Sequence, residues 1–74
     1  MSKDSLISVV IPVYNEEDSI TANHEALISV LKETERSYEV IYVDDGSKDS
    51  SFSVIEGLIQ NDGKVRAVRF ARNF

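Results

Sequence analysis

The chain has no cysteine and no tryptophan, one proline (Pro12), three glycines and one histidine (His24). Without cysteine, neither a disulfide nor a thiolate–metal centre can staple the fold. That matters at 74 residues, because a single core below roughly 70–80 residues supplies only about 3–5 kcal/mol unaided. Positive charge is also short: eight Lys/Arg stand against thirteen Asp/Glu, a net charge of −5 with a pI near 4.6. The basic residues are scattered, with Arg66, Arg69 and Arg72 the nearest thing to a group. They form no stripe able to release counterions from a phosphate backbone, so nucleic acid is excluded as a partner. Long hydrophobic runs are missing too. The longest apolar-rich stretch, Leu6 to Tyr14, contains Ser8 and Pro12 and falls short of the ~20 residues that cross a bilayer. Met1-Ser2-Lys3-Asp4-Ser5 leads into it with no signal-peptide cleavage pattern. The expected location is cytoplasmic.

What is present is globular in composition, 42% hydrophobic and 28% charged, and amounts to one small domain at most. Leu6-Ile7-Ser8-Val9-Val10-Ile11 is a β-branched apolar run stopped by Pro12, which predicts a strand buried on both faces. Asp18 or Ser19 caps a predicted helix whose apolar stripe is Ile20, Leu27, Ile28 and Leu31, ending near Glu35–Ser37. Tyr38 to Val43 reads as a second strand, halted by Asp44-Asp45-Gly46-Ser47. Asp49 or Ser50 caps a second helix with Phe52, Ile55, Leu58 and Ile59 inward. Asn61-Asp62-Gly63 ends it, and Val65 to Phe70 is a third strand.

The order β-α-β-α-β calls for parallel strands joined by right-handed crossovers. Two crossovers stepping in one direction put both helices on one face. A first strand buried on both faces then needs a covering that these residues do not supply. The expectation is part of a larger α/β sheet, the alternative being a small domain completed by oligomerisation.

Open parallel sheets bind ligands outside the carboxyl ends of their strands. Three segments meet there: Pro12-Val13-Tyr14-Asn15-Glu16, Asp44-Asp45-Gly46-Ser47 and Ala71-Arg72-Asn73-Phe74. A dinucleotide site needs a glycine-rich turn after the first strand, but no glycine precedes Gly46. A Walker lysine loop is absent. A phospho-acceptor receiver fits poorly, because its acidic pair follows the first strand rather than the second. The residues present suit a nucleobase. Tyr14 offers a ring to pack on a flat base, and a carboxylate at the end of the second strand accepts an N–H from the base edge. Gly46 lets the chain turn without a Cβ in the way, and Ser47 and Asp49 can cap the following helix.

Ser8 to Glu17, reading SVVIPVYNEE, followed by Val43 to Asp49, reading VDDGSKD, resembles the start of the family 2 inverting glycosyltransferases. Val68-Arg69-Phe70-Ala71-Arg72-Asn73-Phe74 is similar to a stretch of the dolichol-phosphate mannose synthase-like and undecaprenyl-phosphate sugar transferase subset. The resemblance implies a GT-A, Rossmann-like fold, of which residues 1–74 would be the N-terminal βαβαβ part, truncated before the D-x-D motif. It implies a parent enzyme that moves a sugar from a UDP- or GDP-sugar to an acceptor with inversion, polyisoprenyl phosphate being the acceptor of the similar subset. Pro12, Tyr14 and Glu16 match positions lining the nucleoside pocket, Asp45 matches the base-contacting carboxylate, and Asp44 shares its turn. Since a strand's neighbouring side chains point opposite ways, one aspartate of the pair faces the base, and Asp45 is the choice. The resemblance also implies Mg²⁺ or Mn²⁺, with the metal ligands and catalytic base outside this chain, so the catalytic and metal residues within it are none. Membrane attachment would come through segments beyond these residues, on the cytoplasmic face, and a homo-oligomer is left open.

Plainer readings stand beside these. Asp44-Asp45-Gly46-Ser47 could be an ordinary strand-to-helix turn, Tyr14 a packing aromatic, and Glu16 and Glu17 first-turn residues favoured by the helix dipole. His24 falls near the apolar stripe, as a partly buried imidazole would. Arg69 and Arg72 read as solvated charges, and Ser50, Ser51 and Ser53 as helix-start residues. Two rivals remain at this level: a non-catalytic nucleotide-binding or interaction module complete at this length, and a dinucleotide-dependent oxidoreductase, which lacks its glycine loop.

Overall fold

Residues alternating between a covered and a bare face organise the sheet. In the structure, a computed structural model describing residues 6–70, strand β1 runs over Ile7–Val13. Helix α1 covers Ile20–Glu33, β2 Tyr38–Asp44, α2 Ser51–Asn61 and β3 Val65–Arg69. The three strands are parallel in the order β1-β2-β3. Register brings Val9, Val40 and Val65 into one row across the sheet, and Val13, Asp44 and Arg69 into the row at its carboxyl edge.

Both helices pack on the face carrying Val13, Tyr38, Val40, Tyr42 and Val65, where Ile20 and Leu31 of α1 and Ile55 of α2 complete the buried core. Val40 and Ile55 are fully buried, and each such side chain is worth about 1.5–3 kcal/mol of transfer free energy. On the opposite face stand Ser8, Val10 and Pro12 of β1, all exposed, with Val10 61% accessible. Among the described residues β1 is therefore covered on one face only, and the face left bare is the one whose covering these residues were expected not to supply. The apolar run alone does not show which residue occupies which face, because Val10 is as β-branched as Val9.

Pro12 lies inside β1 rather than ending it. Ile7 N–H donates to Ser37 O, and Val13 O accepts from Asp45 N–H, both toward β2. The period of two turns the amide position of residue 12 toward the open edge, where a missing N–H leaves no ladder bond unmade. The end of α1 is equally local. Thr34 Oγ1 donates to Leu31 O at 2.6 Å, and Glu35 takes a φ of 58° to leave the helix. His24 is buried on α1 with its Nδ1 2.6 Å from the Tyr42 hydroxyl. Burial depresses its pKa below the usual value, opposed by the weaker pull of Asp62 and Glu25.

Candidate functional site

The carboxyl edge of the sheet is built by continuing its ladder one residue past each strand. Asp45 N–H donates to Val13 O and Phe70 N–H to Asp44 O, each at 2.9 Å. The β1–α1 and β2–α2 loops therefore leave the sheet side by side, with Tyr14 and Asp45 on adjacent segments. Gly46 turns the second loop at φ 80°, a left-handed conformation that a Cβ disfavours by about 1–2 kcal/mol.

Asp44 and Asp45 have different surroundings. Asp44 points into the helix layer with 0% exposure, and its Oδ1 accepts the Ser47 N–H at 3.0 Å. Its Oδ2 is buried with no hydrogen-bond partner and faces the Arg69 Nε at 3.6 Å. Arg69 in turn lies 4.7 Å from the centroid of the Phe52 ring. Asp45 is half-buried, and its ladder bond keeps it in step with β2 on the alternate side from Asp44.

The two loops are tied by side chains. Asn15, at φ 50°, donates its N–H to Ser47 Oγ at 2.9 Å, while its Oδ1 accepts the Lys48 N–H at 2.8 Å. Glu16 N–H donates to the buried Ser51 Oγ at 2.8 Å. Asp49 receives the Glu17 N–H at 3.3 Å and the Ser51 N–H at 2.9 Å. The hydrogen bonds from Ser51, with that from Glu17 behind them, hold the Asp49 carboxyl below its usual range against an opposing desolvation. Sequence reasoning missed this role. It read Asp49 or Ser50 as the cap of α2, Ser47 as a further cap candidate and Ser51 as a helix-start residue; Ser50 is the N-cap residue with no side-chain cap bond, and Asp49 accepts the N–H of Ser51, the first residue of the helix. The signal available was an excess of small polar residues over what one cap requires.

Of the residues singled out, Pro12 and Glu16 line a cleft of about 360 Å³ between β1 and α1, together with Val9, Ile11, Asn23, Leu27 and Tyr42 among others. Tyr14, Asp44 and Asp45 are not among its lining residues. Tyr14 is 53% exposed at the edge, and its N–H reaches the Glu16 carboxylate at 3.4 Å. The segment Ala71–Phe74, including Arg72, lies outside the described residues. Among the described residues no group of three or more His, Cys, Asp or Glu side chains could hold a metal ion. Of the edge carboxylates, Asp44 is turned into the core against Arg69, and Asp49 is occupied by amides. No helix among these residues is long and apolar enough to cross a membrane.

A model of the family described as "Glycosyl transferase family 2" matches residues 8–74. The chain belongs to glycosyl transferase family 2. Both tied loops fall inside that match, and the β-α-β-α-β order of parallel strands is the Rossmann-like arrangement the resemblance implies. Among curated relatives, the undecaprenyl-phosphate 4-deoxy-4-formamido-L-arabinose transferase of Proteus mirabilis is 44% identical over 73 residues, 97% of this chain and 22% of the relative. The uncharacterized glycosyltransferase YkcC of Bacillus subtilis is 39% identical over 74 residues, 100% of this chain and 23% of the relative. The putative glycosyltransferase CsbB of the same organism is 36% identical over 72 residues, 97% of this chain and 22% of the relative. The chain thus spans about a fifth of the length of these relatives.

Proposed function

We propose that this chain supplies the nucleoside-recognition part of a glycosyltransferase, which moves a sugar with inversion from a nucleotide-diphospho sugar to a polyisoprenyl phosphate. The observation that carries the reading is the family match across two loops that are hydrogen-bonded together at the carboxyl edge of the sheet. In this proposal Tyr14 packs on the base or ribose, and the Asp45 carboxylate accepts an N–H from the base edge. Pro12 and Glu16 shape the adjoining wall, and Asp44 belongs to the same turn. The catalytic base and the ligands of Mg²⁺ or Mn²⁺ lie outside this chain.

The sheet face bearing Val10, Ile41, Val43, Val68 and Phe70 fits the same reading. Among the described residues nothing packs over it, with Val10, Val68 and Phe70 at 61%, 46% and 52% exposure. In the proposal, further residues of the full-length protein cover it, and attachment to the cytoplasmic face of a membrane also comes from outside this chain. The test is calorimetry of UDP and GDP binding to the full-length protein and its Asp45→Asn variant. Losing a charge-assisted acceptor weakens the preferred nucleotide by about ten- to a hundredfold. Unchanged binding counts against the assignment.

A further inference from the structure

The hydrogen bonds joining the two loops form a connected chain that begins in the core. Buried Asp44 Oδ1 accepts the Ser47 N–H, Ser47 Oγ accepts the Asn15 N–H, and Asn15 Oδ1 accepts the Lys48 N–H. Each bond is 3.0 Å or shorter. Asn15 is held in a left-handed conformation that asparagine tolerates better than most residues. The chain brackets two positions: Tyr14 immediately precedes Asn15, and Asp45 lies between Asp44 and Ser47. Neither Asn15 nor Ser47 needs to touch a ligand to govern how those two side chains are spaced.

We propose that Asn15 and Ser47 are positioning residues that set base selectivity, by clamping the Tyr14 and Asp45 loops at a fixed separation anchored on buried Asp44. This rests on the nucleoside reading above and deepens it. The physical reason is that a ring and a carboxylate discriminate between bases only at a defined offset. A ring that slides stacks on any base, and a carboxylate that wanders is met by water instead of a base N–H. The clamp therefore acts on the difference between bases more than on binding as a whole. Phosphate recognition does not pass through it, because its amides are already spent on Ser47, Asn15 and Asp44 oxygens.

The experiment uses the full-length protein with Mg²⁺ and measures Kd by calorimetry for UDP, GDP and inorganic pyrophosphate. Asn15→Gly keeps the left-handed backbone accessible and removes the Oδ1 acceptor. Ser47→Ala removes the Oγ acceptor, and Asn15→Asp retains an acceptor and serves as the rescue. Wild type prefers one base. In Asn15→Gly and Ser47→Ala the UDP/GDP affinity ratio moves toward one by about five- to tenfold, the loss of one ordinary hydrogen bond. Pyrophosphate affinity is unchanged, and Asn15→Asp restores the ratio. Variants that melt earlier but keep the ratio overturn the clamp while leaving the site intact. Equal affinity of wild type for both bases overturns the clamp as well. A wild type that binds neither nucleotide overturns the nucleoside reading along with it, and Asp45→Asn, run in parallel, reports on that reading separately.

Discussion

Replacing Asp44 separates two explanations of why a carboxylate sits in the core. Its Oδ1 accepts a backbone N–H at 3.0 Å inside the protein, while its Oδ2 meets only the Arg69 Nε at 3.6 Å. A hydrogen bond from a buried amide to a charged acceptor is worth about 1.5–3 kcal/mol. The ion pair is worth about 0–1 kcal/mol, because the Arg69 side chain is 53% exposed. The amide bond should dominate. Asp44→Ala then costs about 2–4 kcal/mol, the sum of a stranded Ser47 N–H and a small void. Asp44→Asn keeps one acceptor but sets two donors beside Arg69, for a cost of about 1–2 kcal/mol. Arg69→Met costs under about 1 kcal/mol, since the Arg69 side chain is half-exposed and methionine can still pack on the Phe52 ring. Amide exchange at Ser47, read by mass spectrometry or NMR in the full-length protein, localises the effect. It should accelerate about thirtyfold or more in Asp44→Ala and about five- to thirtyfold in Asp44→Asn. Faster exchange in Arg69→Met than in Asp44→Ala would refute this ranking. So would an Asp44→Asn protein that melts higher than wild type, which would mean that desolvating the carboxylate outweighs its bond.

The two glycines at contrasting sites give opposite outcomes. Gly46→Ala at φ 80° should destabilise by about 1–2 kcal/mol, whereas Gly57→Ala, inside α2 with nothing within 4 Å of an added Cβ, should stabilise by about 0.5–1 kcal/mol; paired thermal melts check both. Burial lowers the His24 pKa in the folded chain, so the unfolded chain binds more protons than the folded one as pH falls below 6.5. Stability should therefore be intact above the unfolded value near 6.5 and fall as pH drops below it, and His24→Gln should flatten that slope in melts from pH 7.5 to 5.5. Val10→Lys tests the bare sheet face: a cost of about 2 kcal/mol or more in the full-length protein means that the face is covered there, while a change within about 0.5 kcal/mol means that it is open.

The order and direction of the five elements were legible because each depends on short-range chemistry. Tyr38-Glu39-Val40-Ile41-Tyr42-Val43 alternates two kinds of burial as a central strand should, and the inward set Phe52, Ile55, Leu58 and Ile59 packs as its spacing predicts. What was not legible depends on partners distant in sequence. That Val10 is exposed while Val9 is packed follows from where the helices lie. That Pro12 extends β1 follows from an open edge on that side. The same limit hid the loop ties: Asn15 and Ser47 are 32 positions apart, and nothing local to either indicates the other. Ser51 shows the cost of reading locally. Next to a helix start it looks like a capping hydroxyl, yet its Oγ is fully buried beneath the other loop and accepts the Glu16 N–H.

Those ties also bear on which end of a nucleotide this edge can receive. Phosphate-binding loops work by leaving several backbone N–H groups free to converge on an anion. Here seven amides of the two loops, at Tyr14, Asn15, Glu16, Glu17, Ser47, Lys48 and Ser51, are donated to side-chain oxygens. Five of those seven bonds end on Glu16, Asn15, Asp44 or Asp49, and four of these acceptors' bonds end on carboxylates. The edge thus presents spent donors and negative charge, which repels a diphosphate as strongly as it suits a base N–H. On the proposed reading, a nucleotide docks here with its base inward and its phosphates directed away from these loops, toward positive charge supplied elsewhere. The glycine-rich loop whose absence argued against a dinucleotide site is replaced by side chains that consume the very amides such a loop would offer.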